Sequence, residues 1–405
     1  MGALEGYRVL DLSRVLAGPW CGQILADLGA EVIKVERPKR GDDTRSWGPP
    51  WMKDDEGRAT HEAAYYQSTN RNKLSVAIDI ATPEGQEVVR ALALESDVLI
   101  ENYKTGSLKK YGLDYETLSK LNPKLIYCSI TGFGQTGPRA EEPGYDFIIQ
   151  GMGGLMSVTG EKDDLPGGGP QKLGIAFSDI TTGLYSTIAI QAALLNRNIT
   201  GLGQYIDMAL LDVQIATLAN QGMNYLASGK VPGRFGNAHA NIVPYQVFKA
   251  SDRDFIIACG NDTQFIQLCQ AIGLPELPNN PKFTRNADRI KHREEITNLL
   301  SAHFSHKTAD EWVAVIHAAK VPVGVINNLE QAFQEPQVVE RKMLVEMQHP
   351  QQEHLKVIGS PIKMSRTPVE YKRAPPMLGQ HTDEILLRIL SKQTLDTLKS
   401  KGIVE

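Results

Sequence analysis

Residues 8–35 read R-V-L-D-L-S-R-V-L-A-G-P-W-C-G-Q-I-L-A-D-L-G-A-E-V-I-K-V. Arg8 to Leu12 is a short apolar strand, Gly18 to Leu28 has helical periodicity, and Glu31 to Val35 is a second strand, so the chain opens with a βαβ unit. The turn after the first strand, S-R-V-L-A-G-P-W-C-G, lacks the G-x-G-x-x-G spacing that admits a dinucleotide pyrophosphate. Glu36 stands where such folds place a ribose-binding acid, but without the glycines nicotinamide binding is disfavoured.

Further strands are predicted at Leu74 to Ile80, Asp97 to Glu101, Lys124 to Ile130 and Gln204 to Ala209, with helical stretches between them. Thr82-Pro83-Glu84 supplies a cap residue and a first-turn proline to one of those helices. This alternation predicts an α/β fold: a large, doubly wound, mainly parallel, Rossmann-like sheet with helices on both faces. Polar residues just past the strand ends then gather on one edge, where such sheets bind ligands. From Gly229 to Gly236 the composition turns to glycine, proline and basic residues, a boundary signal. The predicted division is a large domain over 1–225, completed by the C-terminal segment 330–405, and a smaller α+β domain over 226–329. Within the latter, Tyr245 to Ala250 and Phe255 to Cys259 read as a hairpin.

The bulk numbers fit this picture. A chain of 405 residues with 41% hydrophobic and 22% charged residues is ordinary globular material and long enough for two cores. A net charge of −4 gives no reason to expect nucleic acid or an anionic membrane as partner. No apolar run approaches the length of a membrane span, and the N-terminus lacks the pattern of a secretory signal. Cys21, Cys128, Cys259 and Cys269 form no C-x-x-C pair, so reduced, buried thiols in a cytoplasmic protein are expected, with neither a zinc site nor a disulfide framework.

For chemistry, the stretch G-I-A-F-S-D-I-T-T-G-L-Y at 174–185 places Asp179 where a helix begins. One reading is a helix cap, in which the carboxylate accepts a free N–H of the first turn. The other is a nucleophile beside the glycine-rich runs Gly151 to Gly154 and Gly167 to Gly169, whose amides could stabilise an oxyanion. Serine hydrolase and Walker signatures are absent. Basic residues spread over loops in the first 110 positions, Arg37 and Lys110 among them, suit a phosphorylated ligand.

The blocks V-L-D-L-S-R-V-L-A-G-P, A-D-L-G-A-E-V-I-K-V-E-R-P, N-R-N-K-L-S-V-A-I-D, I-E-N-Y-K-T-G, P-G-Y-D-F-I-I-Q-G-M-G-G-L-M-S-V-T-G, D-I-T-T-G-L-Y and A-P-P-M-L-G-Q-H-T-D-E together resemble the class III coenzyme A transferases. By that resemblance Asp179 is the catalytic aspartate, carrying first a mixed anhydride and then CoA as an aspartyl thioester. CoA contacts fall on Val15, Leu16, Arg37, Lys73, Asn102, Tyr103 and Lys110, with Tyr145 and Asp146 near the active centre. The resemblance implies acyl-CoA as substrate, no prosthetic group, no metal, and an interlocked homodimer. Leu16 stands where formyl-CoA transferases carry a glutamine, and G-N-A-H-A-N-I-V-P-Y-Q-V-F resembles members that use succinyl-CoA and a dicarboxylic acid. Arg45, Arg71 and Arg234 are the candidates to grip the acid's free carboxylate. The rival readings are a related α-methylacyl-CoA racemase, which would want a histidine base in the first domain, where His61, the only histidine before His239, sits in a different motif, and a non-catalytic CoA-binding protein.

Overall fold

In the computed structural model, which describes residues 2–405, six strands form one sheet: β1 (Arg8–Asp11), β2 (Glu31–Glu36), β3 (Lys73–Ala77), β4 (Val98–Glu101), β5 (Ile126–Thr131) and β6 (Tyr205–Ala209). Their spatial order is β3-β2-β1-β4-β5-β6, and every neighbouring pair is parallel. The order reverses between β1 and β4, which opens a crevice at the carboxyl ends of those two strands.

Both faces of the sheet are covered, and the strand residues show it by their alternation. Leu10, Ile33, Leu99 and Tyr127 join one apolar cluster, while Val9, Val32, Val98 and Ile126 join another. The connecting helices are α1 (Ala17–Asp27), α2 (Pro83–Leu94), α3 (Tyr115–Leu121), α4 (Asp146–Met152) and α5 (Phe177–Thr200). Val88, Val89 and Leu92 of α2 and Leu118 of α3 fill the first cluster, together with Leu395, Leu398 and Val404 from the chain's end. Cys21 and Leu25 of α1 and Ile190, Ala193 and Leu194 of α5 fill the second. The helix starts follow the predicted chemistry: the Thr82 hydroxyl accepts the Gly85 N–H at 3.1 Å, with Pro83 in the first turn of α2. Helix α5 stops at Gly201, whose φ of 74° suits glycine.

A second compact unit has its own sheet, β7 (Tyr245–Lys249), β8 (Asp254–Ala258) and β9 (Val323–Val325), antiparallel in the order β9-β8-β7. Its core holds Phe248, Phe255, Phe265, Phe304 and Trp312. A two-stranded hairpin, Leu344–His349 with Gln352–Ile358, belongs to the first unit.

The bounds of the units differ from those read in the sequence. The first comprises 1–154, 173–218 and 336–405, and the second 155–172 and 219–335. The stretch 155–172 joins the second unit because its backbone is stitched there: Gly236 N–H donates to the Gly160 carbonyl at 3.1 Å and Arg234 Nε to the Glu161 carbonyl at 3.1 Å. The helical stretch expected from Leu210 to about Ala227 is two helices, Leu210–Ala216 and Ala219–Ser228, broken where Ala219 takes a φ of 45°.

Arg71 fastens the first unit internally. Its guanidinium forks onto buried Asp27 at 3.0 and 2.5 Å and donates to the Ile358 carbonyl at 2.7 Å. Replacing Arg71 by Ala leaves the Asp27 carboxylate buried without its cation, so urea denaturation is expected to show a loss of about 3–5 kcal/mol.

Candidate active site

Asp179 is the third residue of α5, and it does not cap the helix. That task falls to Asp146, the first residue of α4, whose Oδ1 accepts the Ser178 N–H at 2.8 Å and the Asp179 N–H at 3.2 Å. Asp146 Oδ2 accepts from Gln150 Nε2 at 2.7 Å, and Gln150 Oε1 in turn accepts the Leu173 N–H at 3.0 Å. The Ser178 hydroxyl donates to Gln214 Oε1 at 2.7 Å, which fixes the helix start from its other side. The Asp179 carboxylate is half-buried and accepts no hydrogen bond among the described residues. Burial, and then the negative charge of Asp146, push it up to about 7. The cap reading of Asp179 therefore gives way: this carboxylate is positioned by its backbone and left chemically free.

At the β1/β4 crevice, Val15 sits in the left-handed region with φ 71°, a strained conformation for a β-branched residue, of order 1–3 kcal/mol. Asn102 brackets it from the end of β4, accepting the Arg14 N–H at 2.8 Å and donating to the Arg14 carbonyl at 2.6 Å. Beyond the same strand ends lies a cavity of about 500 Å³ whose lining includes Arg14, Arg37, Arg40, Tyr103, Lys104 and Lys110. The Arg14 guanidinium lies 5.2 Å from the Tyr103 ring centroid. Cations around an aromatic ring suit a phosphorylated nucleotide portion. Arg37, Tyr103 and Lys110 are thus brought together; Asn102 is tied to Arg14 of the same lining, and Val15 and Leu16 follow Arg14 in the chain. Leu16 is buried as the residue preceding α1, and Tyr145 is exposed immediately before Asp146.

Several expected assignments need correction. Lys73 is fully buried, and its ammonium donates to Asp11 at 2.9 Å, the Pro19 carbonyl at 2.8 Å and Asn70 at 3.0 Å. Its three donors are consumed inside the sheet, so it offers none to CoA. Arg45 is locked between Glu36 and Glu62, with four contacts of 2.8 Å to their carboxylates and one to the Pro376 carbonyl at 3.0 Å. Arg71 is spent on Asp27, and Arg234 on the Glu161 carbonyl and Asp163. None of these three is a spare cation for a substrate carboxylate. Glu36, which in a dinucleotide-binding fold would meet a ribose, accepts from Arg45, from Ser75 at 2.7 Å, from Tyr66 at 3.1 Å and from the Asp42 N–H at 2.9 Å. Gly167 to Gly169 belong to the second unit. His61 is exposed on the short hairpin Trp51–Lys53 with Ala59–Ala63.

Tyr65 escaped the sequence reading. Burial and the charges of Asp179 and Asp146 push its phenol up to about 12, which places a protonated hydroxyl within the field of both carboxylates. Its ring meets Trp47 edge-on at 5.3 Å. Nothing in the Tyr65-Tyr66 pair marked one side chain as half-buried and the other, fully buried, as core.

A doubly wound sheet with a basic cavity at its switch point and an unpaired carboxylate at a helix start defines an enzyme that handles large anionic acyl carriers. The chain belongs to CoA-transferase family III, whose sequence profile matches residues 4–382. It is 50% identical to a succinate–glutarate CoA-transferase of Agrobacterium fabrum, over 95% of each chain. It is 44% identical to the mouse succinyl-CoA:glutarate CoA-transferase, covering 100% of this chain and 91% of that one. Among solved structures, a CAIB/BAIF family protein from Brucella suis superposes with a TM-score of 0.84 at 50% identity, covering 96% of this chain and 100% of that one.

Because the folded protein holds Asp179 near 7 against 3.8 in an open chain, the acid form is the one the fold favours. Its stabilisation is complete below about pH 4 and is lost as pH rises through 7. The Asp179→Asn variant has no charge to bury. Between pH 4.5 and 8 it should lose about 1–3 kcal/mol less stability than the parent in urea unfolding.

Proposed function

We propose that this enzyme moves CoA from succinyl-CoA, or a similar thioester, to a small dicarboxylic acid of the glutarate class, with Asp179 as covalent carrier. The observation that carries the mechanism is the free carboxylate at the start of α5, oriented through backbone bonds to Asp146. The names of the relatives support the choice of substrates.

The Asp179 carboxylate attacks the donor's thioester carbonyl and expels CoA thiolate, leaving a mixed anhydride. The thiolate then attacks the aspartyl carbonyl of that anhydride, releasing the donor's acid and forming an aspartyl-CoA thioester. The acceptor's carboxylate attacks this thioester, again expelling thiolate and forming a second anhydride. Attack of the thiolate on the acceptor's carbonyl forms the new acyl-CoA and restores Asp179. No water enters the cycle, and no proton has to be stored. A carboxylate displaced towards 7 is more basic than an ordinary one, and so a better nucleophile once ionised. Arg37, Tyr103 and Lys110 hold the nucleotide end of CoA in this reading, beside the crevice formed by Val15, Leu16 and Asn102.

The same reading includes an interlocked homodimer working in the cytoplasm. Exposed apolar residues on α5, Ile188, Leu195 and Ile199, support a partner chain. So does an apolar cavity of about 830 Å³ lined in part by Trp20, Leu184, Ile188 and Leu355. The four cysteines are buried and unbridged, and among the described residues no helix is long and apolar enough to cross a membrane.

Mass spectrometry of the enzyme mixed with succinyl-CoA is expected to find CoA attached at Asp179. The Asp179→Ala variant should lose the adduct, with turnover falling on the order of 10⁵-fold or more while the fold persists. Retained turnover in that variant rules the mechanism out. Since only the ionised carboxylate attacks, kcat/KM for the donor should fall about tenfold per pH unit on the acid side of an apparent pKa near 7, measured from pH 5 to 8.

A further inference from the structure

The left-handed Val15 is held from two sides by side chains of distant segments. Its own N–H donates to Asp42 Oδ1 at 3.2 Å, while the preceding Arg14 peptide is pinned through both its N–H and its carbonyl by Asn102. Asp42 lies in the loop after β2 and is itself fixed. The buried Lys34 ammonium pairs with its Oδ2 at 2.9 Å, and Oδ1 accepts the Thr44 N–H at 3.0 Å and the Thr44 hydroxyl at 2.8 Å. Asn102 follows directly on β4. A β-branched residue rarely adopts a positive φ, because its side chain crowds the backbone there. Val15 therefore keeps this shape only while its neighbours impose it.

From this geometry we infer that Asp42 and Asn102 are positioning residues for the CoA ester: together they hold the Val15 turn in the one conformation that accepts the donor. The inference rests on the proposed placement of CoA at Val15 and Leu16. On this view Asn102 acts through the Arg14 peptide rather than through direct contact with the ligand. Without the clamp, Val15 relaxes to negative φ, and the peptides on either side of it rotate away from their present directions. Only the fraction of molecules with the turn formed then binds donor, so apparent affinity falls by that fraction. Once donor is bound the turn is formed, and the chemistry at Asp179 proceeds at its normal rate. The signature is a raised KM for the CoA ester at little-changed kcat, with the KM of the acceptor acid unmoved.

Glycine supplies the decisive test, since it occupies positive φ at no steric cost. Steady-state kinetics are measured for Asn102→Ala, Asp42→Ala, Val15→Gly and the two doubles carrying Val15→Gly, with thermal unfolding as the fold check. Each alanine variant is expected to raise donor KM about tenfold with kcat within about twofold, and Val15→Gly in the same chain should recover most of that loss. Val15→Gly alone is the reference for the doubles, whose donor KM should lie within about twofold of its own. Asp42→Ala leaves Lys34 short of a partner, and if it does not fold, Asn102→Ala decides alone. Unchanged donor KM in the alanine variants overturns the inference, and so does a loss that Val15→Gly fails to relieve, which would make the contact direct. An adduct at Asp179 in the parent protein combined with unaffected loop variants removes the clamp alone. Absence of that adduct removes the transfer reading on which the clamp depends.

Discussion

One carboxylate doing another's work is the constraint on which this site depends. Asp146 takes the N–H groups of Ser178 and Asp179 at the start of α5. Had Asp179 capped its own helix, its oxygen would have been engaged with backbone and its charge stabilised there. Relieved of that role, it is held by its main chain alone and carries the cost of burial without compensation. Gln150 and Ser178 extend the arrangement, one gripping Asp146 and the other Gln214, so the helix start is fixed by side chains and the reactive group by none.

Cations are partitioned as deliberately as anions. Lys34, Lys73, Arg45 and Arg71 are inside the first unit, each facing a carboxylate, and they knit the strand ends to the loops after them. Lone charges of this kind could not be buried, so each arrives with its partner. The exposed set, Arg14, Arg37, Arg40, Lys104 and Lys110, borders the cavity beyond the same strands. Interior cations therefore shape the crevice, and peripheral ones are placed to meet phosphate.

Most of the fold was legible because period-two and helical patterns alternate along the first 130 residues and the turn chemistry agrees with them. Thr82-Pro83 at the start of α2 is one instance. Asp179 was legible as the residue at a helix start, but its role was not decidable there, since the competing cap, Asp146, lies 33 positions earlier on another helix. Lys73 and Arg45 misled for a related reason. A basic residue beside a strand looks the same whether it turns outward to a ligand or inward to an acid; Asp11 is brought near Lys73 only by the parallel pairing of β1, β2 and β3, and Glu36 meets Arg45 only because the segment after β2 folds back on that strand's end. Tyr65 and the 155–172 stretch gave no periodic signal at all. Glycines and prolines there mark turns without saying which unit the turns join.

The division of the chain has a consequence for its synthesis. The polypeptide passes from one unit to the other at 154/155, 172/173, 218/219 and 335/336. Leu395, Leu398 and Val404 complete an apolar face to which the strand Arg8–Asp11, made long before them, also belongs. A nascent chain emerging from the ribosome therefore holds that face unsealed until residues 395–404 emerge, and the second unit, whose last strand ends at Val325, has all its strands in hand before the first can close. The order in which the halves mature is the reverse of the order in which they begin.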